Sequence, residues 1–580
     1  VEDKISVSDY IIKYLSSKGV KHVFLVSGGG CMHLVDAIGK SKDLEYICSH
    51  HEQACAMAAE GYARLSGEIG ACIVTTGPGG TNTLTGLMGC WTDSIPAIFI
   101  SGQVPTHQTM YSTGLAVRQI GDQEVDIVSI VSPVTKYAAM VKKPEDIKYH
   151  LDMAFHQALS GRKGPVWIDV PLDIQNTKIS EYSLAEYESF YERPAPSSSQ
   201  IEKISEQLSA SKRPLLIVGN GVRLSDAIEE LKAFLGNNDI PIITGINGND
   251  LVNEGYPYYC GRFGIIGQPA ANHIIQKSDF ILCIGSRLTM RQTGYDHEDF
   301  GREAFKAYVD IDPDELKKET LHPDLAVCAD AKEFLSMINK NETLTGNIEQ
   351  WRQDCISMFA NQRIVQDKHM QNVNYVSNYV LIDRLSEISD GIPIVTSDGS
   401  ANVVTMQAMR LKGEQRMFTN TGCASMGYGL PAAIGACFAN NKNPVICLEG
   451  DGSLQMNIQE LQTVVHHNLP IKLIVLNNEG YLSIKMTQES YLGGRMVASG
   501  PSSGVSFPSL EKISYAYGLK YFRISNNKDI DEVLSDVMDC SVPLLCEVMS
   551  DPDEIHEPKV VGMPQPDGTI LPGKLDDMKL

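Results

Sequence analysis

The 580-residue sequence predicts an α/β protein of three doubly wound parallel-sheet domains. Three observations point there. Short apolar runs end repeatedly at Gly-rich turns and give way to helical periodicity, the pattern of parallel strands with helices on both faces. Polar stretches at 193–199 and 339–347 divide the chain. The length suits three or four domains of roughly 150 residues. The blocks are placed at 1–185, 200–340 and 370–580.

Taken in order, residues 7–17 read as an amphipathic helix, with Ser6 as N-cap, Asp9 in the first turn and Gly19 past the end. Residues 22–26, 46–48, 71–75 and 97–101 read as buried strands. The second block offers strands at 215–218, 241–244, 280–284 and 307–311. The third begins near Asn374, with strands at 445–448 and 472–476 and a helix over 456–465.

Basic residues number 49 against 71 acidic, a net charge of −22. That argues against nucleic acid and anionic membrane as partners. No apolar run reaches the roughly 18 residues of a membrane span. The N-terminus lacks a secretory pattern. The 14 cysteines include no CxxC pair, so reduced thiols of a cytoplasmic protein are expected rather than a metal cluster.

The sharpest local signal is Gly450-Asp451-Gly452-Ser453, followed by Asn477-Asn478. A strand leads into the glycine turn, and the next strand ends at the Asn pair, so both polar groups lie at adjacent strand ends. Glycines let a diphosphate approach the backbone, and a helix N-terminus favours its charge. Asp451 and Asn478 supply oxygens suited to Mg²⁺. A lone Gly-Asp-Gly is most often a turn; the pairing argues for a ligand. The second signal is 51–64, small helix formers able to pack close to another backbone, with Glu52 at the helix start.

The spacing of 24 residues between Gly452 and Asn477 resembles the thiamine-diphosphate enzymes. The 51–64 stretch resembles the acetohydroxyacid (acetolactate) synthases in particular. So do Thr76–Asn82, Ile100–Thr106, Pro133–Lys136 and Met426–Gly435, which spread the resemblance over nearly the whole chain. The resemblance implies Mg²⁺ on Asp451, Asn478 and the Gly480 carbonyl. It implies cofactor contacts from Gly450, Gly452, Ser453, Ala424 and Met426, the last propping thiamine diphosphate into a V shape. Glu52 would bond the aminopyrimidine ring across a subunit interface, so a homodimer or homotetramer is expected. Gln123 and Gly29 match positions near the reaction centre.

In the middle block, Gly219 and Gly221 follow a strand, but Leu224 stands where GxGxxG needs its third glycine. The segment 285–294, with Gly285 and Arg287, is similar to the flavin-contacting segment of the synthases. Asp310 and Asp330 match acidic positions near the adenosine. Bound FAD of structural rather than redox use is implied.

Departures from the synthases gather at the acceptor side. Thr487 stands where the family has a Trp that grades 2-oxo-acid acceptors, which opens volume. Ser27 and Gly30 replace Pro and Ala, and Met290 replaces an Asp before the retained, substrate-binding Arg291. The segments 566–569 and 575–578 look more like the sugar-branching flavoenzymes of the yersiniose type. The reading is a carboligase that decarboxylates pyruvate and passes the two-carbon unit to a carbonyl acceptor, bulky as a nucleotide-linked keto-sugar is. An acetolactate synthase joining two 2-oxo acids is the alternative. A simple decarboxylase or oxidase, and a catalytically silent homologue acting as a binding or regulatory subunit, are further readings.

Overall fold

The apolar runs build three parallel sheets of six strands each in the computed structural model, which describes residues 4–188, 190–341, 343–565, 567 and 569–578. The first sheet holds β1 (His22–Leu25), β2 (Glu45–Cys48), β3 (Gly70–Val74), β4 (Ala97–Gln103), β5 (Tyr137–Met140) and β6 (Pro165–Pro171), in the order β2-β1-β3-β4-β6-β5. The second holds β7 (Pro214–Val218), β8 (Ile242–Thr244), β9 (Tyr259–Arg262), β10 (Phe280–Ile284), β11 (Phe305–Asp310) and β12 (Leu325–Cys328), in the order β9-β8-β7-β10-β11-β12. The third holds β13 (Ile394–Thr396), β14 (Met417–Phe418), β15 (Val445–Gly450), β16 (Ile471–Asn477), β17 (Lys520–Ile524) and β18 (Leu544–Met549), in the order β14-β13-β15-β16-β18-β17. The outer two sheets thus share one strand order, and the middle sheet has the dinucleotide-fold order.

Local chemistry accounts for the helix that opens the chain. In α1 (Val7–Ser17) the Ser6 side chain accepts from the Asp9 amide, and Gly19 turns out of the end at φ +84°. The linker is shorter than expected. Ser197 caps the helix that begins at Ser198, and Gln200 closes a capping box with it. Edge strand β12 alternates exposed and buried residues and escaped the search for apolar runs, and β9 ends on the charged but buried Arg262.

The helices that matter for the site follow in chain order: α2 (Glu52–Ser66), α3 (Ser198–Ala210), α4 (Glu349–Asn361), α5 (Ser400–Ala408), α6 (Gly429–Ala439), α7 (Asp451–Leu454), α8 (Leu461–His466) and α9 (Leu482–Tyr491). The single helix expected over 456–465 is broken. A 3₁₀ turn, Ile458–Glu460, precedes α8, because Asn457 leaves helical geometry (φ −137°) to bond elsewhere.

Glycines set how closely the outer domains approach. A Cβ on Gly61 of α2 would lie 2.2 Å from the Ala432 carbonyl, and one on Gly435 of α6 would lie 1.9 Å from that of Ala58. The small-residue face of α2 is therefore spent on backbone contact with α6. One buried apolar cluster runs from Phe24 through both helices to Leu473. Helix α4 buries Trp351 and Cys355 against the middle sheet.

The chain's end docks there too. Leu575 and Met578 are buried in the same cluster, and Arg302 pairs with Asp576 at 2.8 Å. The 575–578 segment is thus a clamp on the middle domain; in 566–569, Pro566 and Gly568 lie outside the described residues. All 14 cysteines are free thiols. Among the described residues no helix is long and apolar enough to cross a membrane.

Candidate active site

At the carboxyl end of the third sheet, β15 runs into α7 and β16 into the Asn pair. Asp451 is buried, and its carboxylate accepts from the amides of Gly452 at 2.7 Å and Gly480 at 3.2 Å. Burial pushes its carboxyl up to about 6 against the pull of those amides. The Asn478 side-chain oxygen is buried without a hydrogen-bond partner. A buried carboxylate beside an orphaned amide oxygen is a donor set that fits a hard divalent cation. Among the described residues no group of three or more His, Cys, Asp and Glu side chains is placed to hold a metal. The set here draws on one carboxylate, so the two findings agree.

The glycines of this turn are sterically required. A Cβ on Gly452 would lie 2.3 Å from the Tyr481 ring. Ser453 Oγ accepts from the Gly427 amide at 2.8 Å and so ties the turn to Met426, which is 37% exposed for a core-type side chain. Ala424 is held at φ +52°, a strained conformation for a residue with a Cβ.

Sequence reasoning missed several residues here. Glu449 is fully buried and accepts from the Leu430 amide at 3.1 Å, which caps α6. Thr396, Asn402, Asn420 and Thr421 each bury a side-chain oxygen that has no partner. Asn402 stands in the first turn of α5, so a second helix start adjoins the Gly-Asp-Gly turn across adjacent strands β13 and β15. Such a set of unpaired groups fits a polar, anionic ligand.

The first sheet presents its own strand ends. Glu52 opens α2, His51 caps it through Nδ1, and the Glu52 carboxylate accepts from Asn82 Nδ2 at 2.9 Å. Gln123 is exposed at φ +61°, and its carbonyl sits where a Cβ on Gly77 would be, 2.2 Å away. Ser27 and Gly29 are exposed, and Gly29 faces open space. Its neighbours carry the steric demand: Cβ atoms on Gly28 and Gly30 would strike Thr75 and Thr76. Below them, Asp169 accepts from Ser101 and Gln103, and Gln103 also donates to the Val125 carbonyl at 3.0 Å.

Within the chain the two clusters meet through Asn457, whose Nδ2 donates to Gly427 O at 2.8 Å and Gln53 Oε1 at 3.0 Å. Among the described residues, Glu52 bonds none of Asp451, Asn478 and Gly480.

A cavity of about 460 Å³ opens between the three domains, within the size range of small-molecule sites. Gly219, Gly221, Gly285, Arg287, Asp310 and Asp330 all line it, as does Arg291. The three glycines touch backbone to backbone; a Cβ on Gly219 would lie 2.4 Å from Gly285 O. That leaves bare amides for a ligand. Asn247 adds a buried side-chain oxygen without a partner. Burial pushes the Asp310 carboxyl up to about 6.

Arg287 is partly engaged, pairing with Asp93 at 3.1 Å; Arg64 holds the other side of Asp93 at 2.6 Å. Arg162, absent from the sequence reading, also lines the cavity and pairs with Asp312 and Glu315. These residues fit a dinucleotide that meets backbone more than free cations. Thr487 is exposed on α9 and donates to Ser483 O at 3.0 Å.

Comparison with known proteins agrees with the three-domain fold. Residues 5–130, 201–338 and 398–548 match the N-terminal TPP binding, central and C-terminal TPP binding domains of the thiamine pyrophosphate enzymes. The probable acetolactate synthase large subunit of Methanocaldococcus jannaschii is 33% identical, over 94% of this chain and 92% of its own. The acetolactate synthase large subunit of Cyanidium caldarium is 32% identical, over 93% of this chain and 92% of its own. The isozyme 2 large subunit of Escherichia coli K12 is 30% identical over 94% and 95%. The chain belongs to the thiamine-diphosphate-dependent enzyme family, among relatives of the acetolactate synthase large subunits.

Proposed function

We propose that the protein is a carboligase that decarboxylates pyruvate and joins the remaining two-carbon unit to a carbonyl acceptor. The observation that carries this reading is the pair of strand-end clusters, Glu52 on one outer sheet and Asp451 with the orphaned Asn478 on the other. The C1–C2 bond of the 2-oxo acid breaks and CO₂ leaves. Its C2 bonds to the acceptor's carbonyl carbon, and the acceptor oxygen takes up one proton. A nucleophilic carbon that holds the electron pair left by CO₂ is what thiamine diphosphate supplies when bound.

The chain's residues hold and orient. Asp451, Asn478 and the Gly480 carbonyl would hold Mg²⁺, while Gly450, Gly452 and Ser453 leave room for the diphosphate. Ala424 and Met426 would shape the cofactor. Glu52 would hold a proton at its carboxylate, and Gln123 and Gly29 would face the reacting atoms. Gly219, Gly221, Gly285, Arg287, Asp310 and Asp330 would hold FAD. Exposed Tyr111, Leu115 and Ile120, which flank the Gln123 loop, support a homodimer or homotetramer with sites at the interface. The free thiols support a reducing compartment, the cytoplasm.

For the acceptor, the exposed Thr487 supports a bulky ketone such as a nucleotide-linked keto-sugar. The relatives' names support the second reading, acetolactate synthesis from two 2-oxo acids. Incubation with carbon-13 pyruvate and a panel of ketones separates them. A labelled branched ketone product is expected; acetolactate as the sole product would sink the bulky-acceptor reading. Yellow colour and flavin released on denaturation test for FAD.

A further inference from the structure

One partly buried acid stands beside the reaction cleft with no part in the chemistry above. Asp398 follows β13 and precedes α5, at the carboxyl end of the third sheet. Three neighbours fix its place. The positive charge of Arg291, in the middle domain, acts on its carboxylate. The charge of Asp398 in turn reaches Cys423, in the loop of the same domain that leads to Ala424 and Met426. Gly399, the next residue, approaches Ser483 on α9, one turn before Thr487; a Cβ there would lie 3.9 Å from Ser483 Oγ. Asp398 therefore lies among the residues assigned to the second substrate. Among the described residues only the Gly399 amide draws on its carboxylate by hydrogen bonding, which leaves lone pairs for a ligand.

Charge then discriminates between acceptors. Arg291 and Asp398 together are neutral. A second 2-oxo acid would add an unmatched negative charge beside a half-buried carboxylate, which is unfavourable at low local dielectric. A hydroxylated ketone would instead donate to it. We infer that Asp398 determines acceptor choice, selecting a carbonyl compound that carries hydroxyl groups near the reacting carbon over a second 2-oxo acid. This rests on the carboligase reading and deepens it.

The test is a competition in one tube: carbon-13 pyruvate, 2-oxobutyrate and dihydroxyacetone, with the ratio of the two ligation products read by NMR. A ratio is insensitive to how much enzyme is active. The wild type is expected to favour dihydroxyacetone. Asp398→Asn is expected to shift the ratio toward the 2-oxo acid by about ten- to a hundredfold, the usual worth of a hydrogen bond to a charged group. Asp398→Glu, which keeps the charge, should stay on the wild-type side. Asp398→Ser serves if the Asn variant does not accumulate. A ratio that moves less than twofold in the neutral variants overturns the inference while leaving the carboligase intact. Absence of CO₂ release from pyruvate by the wild type overturns both.

Discussion

The two outer domains share a strand order but finish their strand ends differently. In the first, most polar groups near the site are already paired: Asp169 with Ser101 and Gln103, Gln103 with Val125, Glu52 with Asn82; Gln175, which donates to Gly30 O, is the exception, its side-chain oxygen buried without a partner. In the third, Thr396, Asn402, Asn420, Thr421 and Asn478 each bury an oxygen without a partner. Buried polar groups are almost always satisfied. The third domain therefore has the face that a ligand completes, and the first has a preformed frame that presents one carboxylate. On the proposed function, one topology would serve holding in one copy and chemistry in the other.

The largest effects should separate those roles. Glu52→Gln is expected to lower turnover by about 10²- to 10⁴-fold, the range for removing a general acid–base group. Thermal stabilisation by thiamine diphosphate and Mg²⁺ should persist. Asp451→Asn should abolish that stabilisation at cofactor concentrations that suffice for the wild type, and activity with it. Calorimetry with and without cofactor reads both. Loss of stabilisation in the Glu52 variant and its retention in the Asp451 variant would break the comparison.

A smaller effect tests the paired frame. Asp169 is buried, among the described residues no cation pairs with it, and burial pushes its carboxyl up to about 7 from an ordinary 3.8. A carboxyl raised on folding binds its proton more tightly in the native state. Its stabilising contribution is complete below about pH 4 and is lost as pH rises through about 7. Asp169→Asn should remove this decline, of the order of 1–3 kcal/mol after allowance for relaxation. Unfolding followed from pH 4 to pH 8 in both proteins checks it. An equal decline in the variant would assign the pH dependence to other carboxyls.

How much of this was legible in the sequence follows from distance along the chain. The Gly-Asp-Gly turn, the start of α2 and the α1 caps are decided by residues a few positions apart, so composition and spacing expose them. Glu449 capping α6, Asn457 bridging to Gln53 and Asp169 steadying the Gln123 loop depend on partners that only the fold brings near. Asn457 shows the conflict directly. Periodicity favours a helix over 456–465, and its two side-chain bonds to distant segments outweigh that local preference. The unpaired oxygens of the third domain were invisible for the same reason, since Asn and Thr read as surface residues until their burial is known.

The smallest effect is the most diagnostic of the comparison. Asn402 is 1% exposed, and its side-chain oxygen is unpaired. Leaving such a group unsatisfied costs about 1–3 kcal/mol. Asn402→Ala removes that cost, offset by a small cavity and by the better helix propensity of Ala. Without ligand the variant should be as stable as the wild type or more stable by up to about 1 kcal/mol. A ligand that completes the third domain must recover that cost by pairing with Asn402, so the variant's stabilisation by thiamine diphosphate and Mg²⁺ should shrink. A variant that is less stable without ligand, yet gains as much on binding, would show that Asn402 serves the fold alone. The contrast between the two copies would then rest on Asn478 and its neighbours.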